Sequence, residues 1–305
     1  RSESKDPVIL SERSESKDPV ILSERSESKD PVILSERSES KDPVILSERS
    51  ESKDPVILSE RSESKDLHHR MPPTSLPDVR ASVRALGNEE RAVGAARFFK
   101  TGPGDYGEGD EFLGIRVPDL RRIARASRTL SRSNTLKLLR SPWHEERLVA
   151  LLILVEAHKR AAASEQLELH RAYLANTAYV NNWDLVDSSA EELVGAHIPS
   201  LGGRLLQRLA KSPSLWERRI SIVATFWTIK HHDFSPTLVI AERLMRDEQD
   251  LIHKAMGWML REVGKRDVTV LRRFLGAHAP SMPRVALRYA IERFDDAERR
   301  RYLGA

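Results

Sequence analysis

The sequence predicts an all-α protein, because its apolar residues follow helical spacing and its helix-breaking residues recur at intervals that suit helix pairs. Apolar side chains appear every three or four positions in residues 148–157, 189–197, 205–210 and 238–245. No stretch shows the alternation of apolar and polar residues, rich in β-branched side chains, that is typical of strands. Prolines separate the helical segments at Pro142, Pro199, Pro213, Pro236, Pro280 and Pro283.

Residues 1–70 precede the helical region and are expected to form a disordered, low-complexity tail. Residues 1–60 are five copies of Arg-Ser-Glu-Ser-Lys-Asp-Pro-Val-Ile-Leu-Ser-Glu, and a half copy ends at Asp66. Each copy has only three apolar residues and a proline, which is too little for a core and interrupts any helix. A short-period β-solenoid is the alternative, because short repeats can stack. The first methionine is Met71, so we expect translation to start there, the repeat to be an extension of the reading frame, and residues 71–305 to form the folded domain.

The charge and the cysteine content of the chain limit the kinds of partner and chemistry that it can have. Of the 50 basic and 46 acidic residues, 12 and 17 lie in residues 1–66, so the remaining 239 residues carry 38 basic and 29 acidic side chains, a net charge of +9. A domain this basic favours a polyanionic partner. There is no cysteine, which excludes disulfides, thiol nucleophiles and Cys-ligated metals. No apolar stretch is long enough for a signal peptide core or a membrane span, so we expect a cytoplasmic protein without membrane contact.

A weak internal repeat indicates how the helices are arranged. Arg147, Arg219, Lys254 and Arg284 each precede small or apolar residues, at spacings of 72, 35 and 30 positions, and Trp183 lies midway in the first gap. Periods in this range, built of helix pairs, predict a HEAT- or armadillo-type α-solenoid, a superhelix of antiparallel helix pairs. One helix of each pair would then line a concave surface, and the four basic residues would form a stripe on it. The alternative is that any all-helical protein with basic residues near its helix starts would show this pattern.

Residues 101–110 form a glycine-rich segment that follows an N-terminal helical lobe of residues 77–100. It contains four glycines and one proline, but it lacks the Gly-Lys-Ser/Thr ending of a phosphate-binding loop. Its acidic residues, Asp105, Glu108 and Asp110, argue against phosphate contact. We therefore expect a flexible connection.

Trp183 and Asp187 are the strongest candidates for chemistry. They are four positions apart and share one face of a helix, whereas Asp184 points to another side. An aromatic ring beside a carboxylate suits a cation or a cationic transition state. The alternatives are that Trp183 packs in the core and that Asp187 lies at a helix boundary, because Ser188-Ser-Ala-Glu191 fits a capping box. The ten histidines show no metal-ligand spacing and no serine-hydrolase motif is present, so no metal site is expected.

These residues belong to a set of motifs that resembles the AlkD-type DNA alkylation repair glycosylases, which are HEAT-like repeat DNA glycosylases. The motifs are Phe112-Leu-Gly-Ile-Arg-Val-Pro118, Asn182-Trp183-Asp184-Leu185-Val186-Asp187, Trp216-Glu-Arg-Arg219, Lys254-Ala-Met-Gly-Trp258-Met-Leu-Arg-Glu262 and the helix of residues 284–294. The resemblance runs along most of residues 80–300. It implies a HEAT-like superhelix whose concave basic face holds duplex DNA.

The resemblance also implies an activity: hydrolysis of the N-glycosidic bond of N3- and N7-alkylated purines, without the base flipping that most glycosylases require. By motif, Asp187 is the catalytic aspartate, Trp183 and Trp258 flank the deoxyribose of the lesion, and Arg219 lies near the aspartate and the DNA backbone. Which of Arg218 and Arg219 faces the DNA stays open.

Further expectations concern partners. The residues expected to bind the DNA backbone are Arg218, Lys254, Arg284 and Arg288. No metal or other cofactor is expected, and the partner is duplex DNA containing alkylated purines, bound by a monomer that is associated with the nucleoid. Two alternatives remain: a HEAT-type scaffold for acidic proteins, and a related DNA-binding protein that recognises DNA without excising a base.

Overall fold

The structure, a computed structural model, describes residue 73 and residues 75–304, and the predicted disordered tail of residues 1–70 lies outside them. Within the described residues the regular structure is helical, apart from an isolated bridge between Glu111 and Trp143. The α-helices are α1 (Leu76–Arg84), α2 (Glu89–Phe98), α3 (Val117–Ala126), α4 (Arg132–Leu139), α5 (His144–Arg160), α6 (Ala163–Leu174), α7 (Trp183–Asp187), α8 (Ala190–Leu193), α9 (Ile198–Leu201), α10 (Arg204–Leu209), α11 (Leu215–Val223), α12 (Phe226–Lys230), α13 (Ser235–Leu244), α14 (Asp250–Arg266), α15 (Val268–His278), α16 (Arg284–Ala290) and α17 (Asp296–Leu303).

Many of these helices begin at a short polar residue. Such side chains accept hydrogen bonds from the backbone N–H groups of the first turn, which have no partner within the helix. At the start of α15, for example, Asp267 Oδ1 accepts from Thr269 N at 2.9 Å and from Val270 N at 3.1 Å. The residues that cap helices in this way are Ser75, Asn88, Ser131, Asn182, Ser214, Asp267 and Asp295.

Helices α5, α7, α11, α14 and α16 form one layer, which we call the inner layer, and each helix packs against the next. They begin at residues 144, 183, 215, 250 and 284, at intervals of 39, 32, 35 and 34 residues. Helices α4, α10 and α13 pack against α5, α11 and α14 as a second layer. This succession of paired helices at a regular interval is a HEAT-like α-solenoid, which confirms the predicted fold class.

The inner layer is closely packed between α14 and α16. Gly257 of α14 faces α16, and a Cβ atom at this position would lie 2.4 Å from Ala286 O and 2.5 Å from Tyr289 Cβ. Only a glycine permits this approach of the two backbones. The glycine in the Lys254-Ala-Met-Gly-Trp258 motif is therefore explained by packing.

The sequence predicted that the recurring basic residues form a stripe on a concave surface, but three of the four are buried. Arg147, Arg219 and Lys254 have only 4%, 5% and 7% of their surface exposed, whereas Arg284 is exposed. The two buried arginines pair with carboxylates: Arg147 Nη2 with Asp110 at 2.6 Å, and Arg219 Nη2 with Asp187 at 2.7 Å. Three of the four recurring basic residues are therefore buried, and the two arginines among them are held by carboxylates from other segments.

The glycine-rich segment of residues 101–110 is a packed element, and the expectation of a flexible connection is wrong. Gly107 is buried and its N–H donates to Lys100 O at 3.0 Å. The Tyr106 ring lies 6.0 Å from the ring of Trp216 at the start of α11. Asp110, at the end of the segment, is buried and hydrogen-bonded. The segment is thus fixed against the first turns of the inner helices.

In the part of the chain that the structure describes, none of the helices is both long enough and apolar enough to cross a bilayer.

Candidate active site

The candidate site is built on α7, a helix of only five residues. Trp183 is its first residue and Asp187 its last, so the two side chains lie one turn apart, as their spacing predicted. Asn182 caps the start of the helix, and its Oδ1 accepts a hydrogen bond from Trp183 N at 2.8 Å. Asp187 does lie at a helix boundary, but the predicted capping box does not form: α8 starts without a side-chain cap, and Ser189 Oγ donates to Leu185 O at 2.6 Å.

Asp187 forms a two-pronged ion pair with Arg219 of α11. Arg219 Nε donates to Oδ1 at 2.9 Å and Nη2 donates to Oδ2 at 2.7 Å, and the side chains of Arg219 and Asp187 are 6% and 3% exposed. Nη1 donates to Leu251 O in the first turn of α14. Paired hydrogen bonds between a guanidinium and a carboxylate are among the strongest and most directional in proteins. Arg219 therefore fixes the orientation of the Asp187 carboxylate and links three helices of the inner layer.

The pKa of Asp187 reflects two opposing effects. Burial of the carboxylate raises its pKa above the ordinary aspartate value of 3.8, and the positive charge and hydrogen bonds of Arg219 act in the opposite direction. The result is a carboxylate that binds a proton more readily than an exposed aspartate does.

Trp183 is almost fully enclosed, with 2% of its surface exposed. Its ring stacks on Phe99 at a centroid distance of 5.1 Å and meets Phe98 edge-on at 6.0 Å. The indole Nε1 is buried and has no hydrogen-bond partner. Buried donors are nearly always paired in native structures, so this N–H is an exception within the candidate site.

Trp258 and Lys254 lie one turn apart on α14, the helix next to α11 in the inner layer. They are 5% and 7% exposed, and the Trp258 ring lies 5.9 Å from that of Phe226. Both residues are thus buried, and Trp258 packs against α12. Their predicted roles, beside a deoxyribose and at the DNA backbone, stay predictions.

Adjacent arginines of α11 have different partners. Arg219 is directed to Asp187, whereas Arg218 Nε donates to Asp247 at 2.6 Å and Arg218 Nη1 donates to Ser212 O at 3.0 Å. Arg219 is therefore the arginine that accompanies the aspartate, and which of the two arginines faces the DNA stays open. Contact of Arg218 with DNA stays a prediction, and it would require a side chain that is now engaged by Asp247.

The two basic residues predicted on α16 are exposed and lie one turn apart. Arg284 Nη2 donates to Leu303 O at 2.7 Å, at the end of α17. Arg288 extends from the last turn of the same helix. Of the predicted backbone-binding residues, Arg284 and Arg288 are exposed, whereas Arg218 is half-buried and Lys254 is buried.

A buried polar cluster beside Trp183 was not anticipated from the sequence. The His144 ring joins two carboxylates: Nδ1 lies 3.1 Å from Asp110 Oδ2, and Nε2 lies 2.7 Å from Asp184 Oδ2. Asp184 is therefore directed away from Asp187, as predicted, but into a buried ion pair with α5. Asn182 Nδ2 also donates to Asp110, at 3.2 Å. The sequence signal that was available was a histidine and an aspartate in the first turns of successive inner helices, but their contact depends on the fold.

The pKa values within this cluster move in opposite directions. Burial alone would lower the pKa of His144, but the Asp184 and Asp110 carboxylates outweigh burial and raise it to about 9. Burial alone would raise the pKa of Asp110, but hydrogen bonding from His144 and the charge of Arg147 hold it below its usual value. The cluster therefore contains an imidazolium at neutral pH.

Two other buried histidines, His158 at the end of α5 and His197 before α9, are in contact with each other. The Nε2 atoms of His158 and His197 are 2.9 Å apart, and His158 Nδ1 lies 2.9 Å from Glu192 Oε1. Burial lowers the pKa of His197 to about 4. Among the described residues, no group of three or more histidine, cysteine or acidic side chains has the arrangement of a metal site.

Comparison with known proteins identifies the family. The profile of one family, described as DNA alkylation repair enzyme, matches residues 79–294, which is more than two thirds of the chain. The chain belongs to the DNA alkylation repair enzyme family. The matched residues run from α1 to the residues after α16 and include α7, α11 and α14. Membership in this family implies that the substrate is DNA.

A solved structure supports the same fold. It is described as a predicted DNA alkylation repair enzyme from Enterococcus faecalis, and it is similar to this chain with a TM-score of 0.53 and 16% sequence identity, over 69% of this chain and 97% of that one. No curated protein matches the sequence. The helical solenoid is therefore shared with another protein that is assigned to DNA alkylation repair.

Proposed function

We propose that this member of the DNA alkylation repair family is a monofunctional DNA glycosylase that releases N3- and N7-alkylated purines from duplex DNA. The observation that carries the proposal is the Asp187 carboxylate, held at both oxygens by Arg219 and placed one turn from Trp183. Such a site fits base excision repair of alkylated DNA, in which the product is an abasic site.

The chemistry of the substrate explains why one carboxylate is enough. Alkylation at N3 or N7 gives the purine a positive charge, so the base takes the electron pair of the C1′–N bond and departs as a neutral molecule without a general acid. The remaining barrier is the positive charge that develops on the deoxyribose. An ionised Asp187 stabilises this oxocarbenium-like state and accepts a proton from the water whose oxygen bonds to C1′.

Arg219 acts by orienting Asp187. With both carboxylate oxygens fixed and the pair almost fully enclosed, little reorganisation is needed when charge develops on the sugar. The same arginine raises the fraction of Asp187 that is ionised, because its charge opposes the effect of burial. Arg219 is therefore expected to act both on the geometry and on the protonation of the aspartate.

Trp183 and Trp258 are proposed to contact the deoxyribose of the lesion. Contact between a π face and a positively charged sugar contributes about 0.5–2 kcal/mol per ring. Because Phe98 and Phe99 cover Trp183 in this structure, contact with its face requires these two side chains to move when DNA binds. The unpaired Nε1 of Trp183 is then free to donate to the substrate.

Binding of the duplex is attributed to basic side chains of the solenoid. The proposed phosphate contacts come from Arg288, Arg284, Arg218 and Lys254. Such contacts position the duplex without selecting a sequence. In this proposal no lysine attacks C1′, so the enzyme leaves the strand intact, and no metal or nucleotide cofactor takes part.

A second candidate function is recognition of DNA without excision. The enclosure of Trp183, with 2% exposure and a stacked Phe99, favours it, because a packing role would account for the ring equally well. The Asp187–Arg219 pair favours the glycosylase, because an oriented carboxylate one turn from an aromatic ring suits a cationic transition state.

Incubation with a duplex that carries a single 7-methylguanine separates the two functions. The glycosylase releases 7-methylguanine as the free base in excess chelator and leaves a strand that breaks only after alkali treatment. Binding without base release would contradict the proposal, and so would release that is lost with chelator and restored by zinc or magnesium.

A further inference from the structure

His144 occupies an unusual position among the buried groups near the candidate site. It is the first residue of α5 and is 2% exposed. Its ring is stacked against Phe112 at 4.5 Å and lies 4.9 Å from Phe99, which itself covers Trp183. The imidazole thus lies under the same aromatic group that encloses the candidate site.

Both ring nitrogens of His144 face carboxylate oxygens. Nδ1 is 3.1 Å from Asp110 at the end of the glycine-rich segment, and Nε2 is 2.7 Å from Asp184 within α7. Ionised carboxylates only accept hydrogen bonds, so both nitrogens must donate, and only the imidazolium has two N–H groups. The ring is therefore a charged bridge between the segment and α7.

The charges around this bridge balance. Asp110 and Asp184 are the acidic groups that face His144, and Arg147 Nη2 pairs with the other Asp110 oxygen at 2.6 Å. Two carboxylates are thus matched by an imidazolium and a guanidinium. The neighbouring Glu145 is directed elsewhere, accepting from Gly114 N at 2.7 Å.

The bridge reaches the candidate site through the backbone of α7. Asp184 lies between Trp183 and Asp187 in this five-residue helix. Asp110 also accepts from Asn181 Nδ2 at 3.1 Å and from Asn182 Nδ2 at 3.2 Å, and Asn182 caps α7. Helices this short are not stable alone, so α7 depends on such contacts for its position.

We propose that His144 is a positioning residue, which ties α7 to the glycine-rich segment and thereby holds Trp183 and Asp187 in place for catalysis. This role rests on the proposed glycosylase function for its effect on rate, but its effect on the order of α7 does not. His144 touches neither the Asp187–Arg219 pair nor the expected position of the sugar. It acts through Asp184 and Asp110.

The position of α7 is expected to change at alkaline pH, where His144 loses its proton. In the folded protein the pKa of His144 is raised from 6.5 to about 9. A group with a raised pKa contributes its full stabilisation below its unfolded value of 6.5 and loses it as the pH rises through about 9. Above that pH the neutral ring donates to one carboxylate only, and α7 is released on one side.

The test compares His144→Gln with His158→Gln. His158 lies on the same helix and is equally buried, with 1% exposed, but its ring nitrogens face Glu192 and His197 and make no bond to α7. The readouts are amide hydrogen exchange in residues 182–188, without DNA, and single-turnover release of 7-methylguanine. Folded fractions are matched by circular dichroism.

We expect His144→Gln to increase exchange in residues 182–188 and to slow single-turnover release by about 100-fold, the loss typical of a misplaced catalytic group. Duplex affinity should be unchanged, and His158→Gln should behave as wild type in both readouts. In the wild-type protein, protection of residues 182–188 should decline through a pH of about 9 before global unfolding, which tests the bridge even if His144→Gln fails to fold.

Unchanged exchange in His144→Gln, an equal effect of His158→Gln, or protection that is lost only with global unfolding would each overturn the inference. Absence of base release by the wild-type protein would count against the proposed function alone, because the exchange measurement uses no DNA.

Discussion

At the scale of single residues, the sequence predicted that Trp183 and Asp187 share a helix face, but spacing alone did not specify which side chains they contact. The spacing of Trp183 and Asp187 requires them to share a helix face, and α7 places them so. The contact between Asp187 and Arg219 joins residues 32 positions apart, and no local pattern specifies it. The burial of Asp184 against His144, 40 positions earlier, is likewise a property of the fold. Asp184→Asn would disturb this buried contact, so it is unsuitable as a control for the variant Asp187→Asn.

The buried state of Asp187 predicts an acid limit to activity. Because burial raises its pKa above the ordinary value of 3.8, the carboxylate becomes protonated at a higher pH than an exposed aspartate. Protonation removes the charge that stabilises the sugar, so the single-turnover rate should fall as the pH decreases through this raised pKa. A pH profile of the wild-type rate measures it. A midpoint at or below 3.8 would mean that Arg219 outweighs burial.

At the scale of helices and their connections, the structure shifts the internal repeat by one residue. The sequence pattern aligned Arg147 with Arg219, but the structural counterpart of Arg147 is Arg218. Arg147 Nη1 donates to Ser141 O at 3.0 Å and to Pro142 O at 2.9 Å, and Arg218 Nη1 donates to Ser212 O and Pro213 O at 3.0 Å. In both places an arginine of an inner helix satisfies the carbonyls of a Ser-Pro turn and pairs with an aspartate, Asp110 or Asp247. Arg219 therefore has no counterpart at Arg147, and the arginine that recurs in the repeat is its neighbour Arg218.

The close packing of α14 on α16 predicts the effect of a methyl group. Gly257→Ala would place Cβ 2.4 Å from Ala286 O, so one helix must shift, and overpacking of this kind costs about 1–3 kcal/mol in the free energy of unfolding. Gly276→Ala is the matched control, because no atom lies within 4 Å of the added Cβ. It should stabilise the protein by about 0.4–1 kcal/mol. Denaturant unfolding of both variants measures the difference, and equal effects would contradict the packing account.

At the scale of the whole molecule, apolar periodicity and repeat spacing were sufficient to predict the HEAT-like solenoid, because they reflect which faces of helices must be buried. The same reasoning failed for Arg147, Arg219 and Lys254, which are buried although basic residues are usually exposed. Their burial depends, for the two arginines, on carboxylates from distant segments. Sequence spacing alone therefore predicts the helical scaffold better than it predicts which basic side chains are exposed.

The accessibility of Arg288 predicts a change in the salt dependence of DNA binding. If its guanidinium neutralises one phosphate, Arg288→Ala should weaken binding to all duplexes equally and reduce the slope of log affinity against log salt by about 0.9. The control is Arg208→Ala, since Arg208 is an exposed residue of α10 in the second layer. Titrations at several salt concentrations measure both. A slope that is unchanged in Arg288→Ala would place the duplex elsewhere.

The central claim is that the Asp187 charge drives base release, and Asp187→Asn tests it most directly. The control is Asp247→Asn, since Asp247 forms a similar ion pair with the adjacent Arg218 and its side chain is 6% exposed. Removing one partner of a buried ion pair costs about 3–5 kcal/mol in stability, so both variants are compared at a temperature at which they are folded.

Single-turnover release of 7-methylguanine from duplex DNA is the measurement. Loss of one preorganised electrostatic group predicts a rate about 100- to 1,000-fold lower for Asp187→Asn. Its duplex affinity should be kept or increased, because a negative charge facing the DNA has been removed, and Asp247→Asn should keep the wild-type rate. A wild-type rate in folded Asp187→Asn, or an equal loss in Asp247→Asn, would contradict the assignment of Asp187 as the catalytic carboxylate.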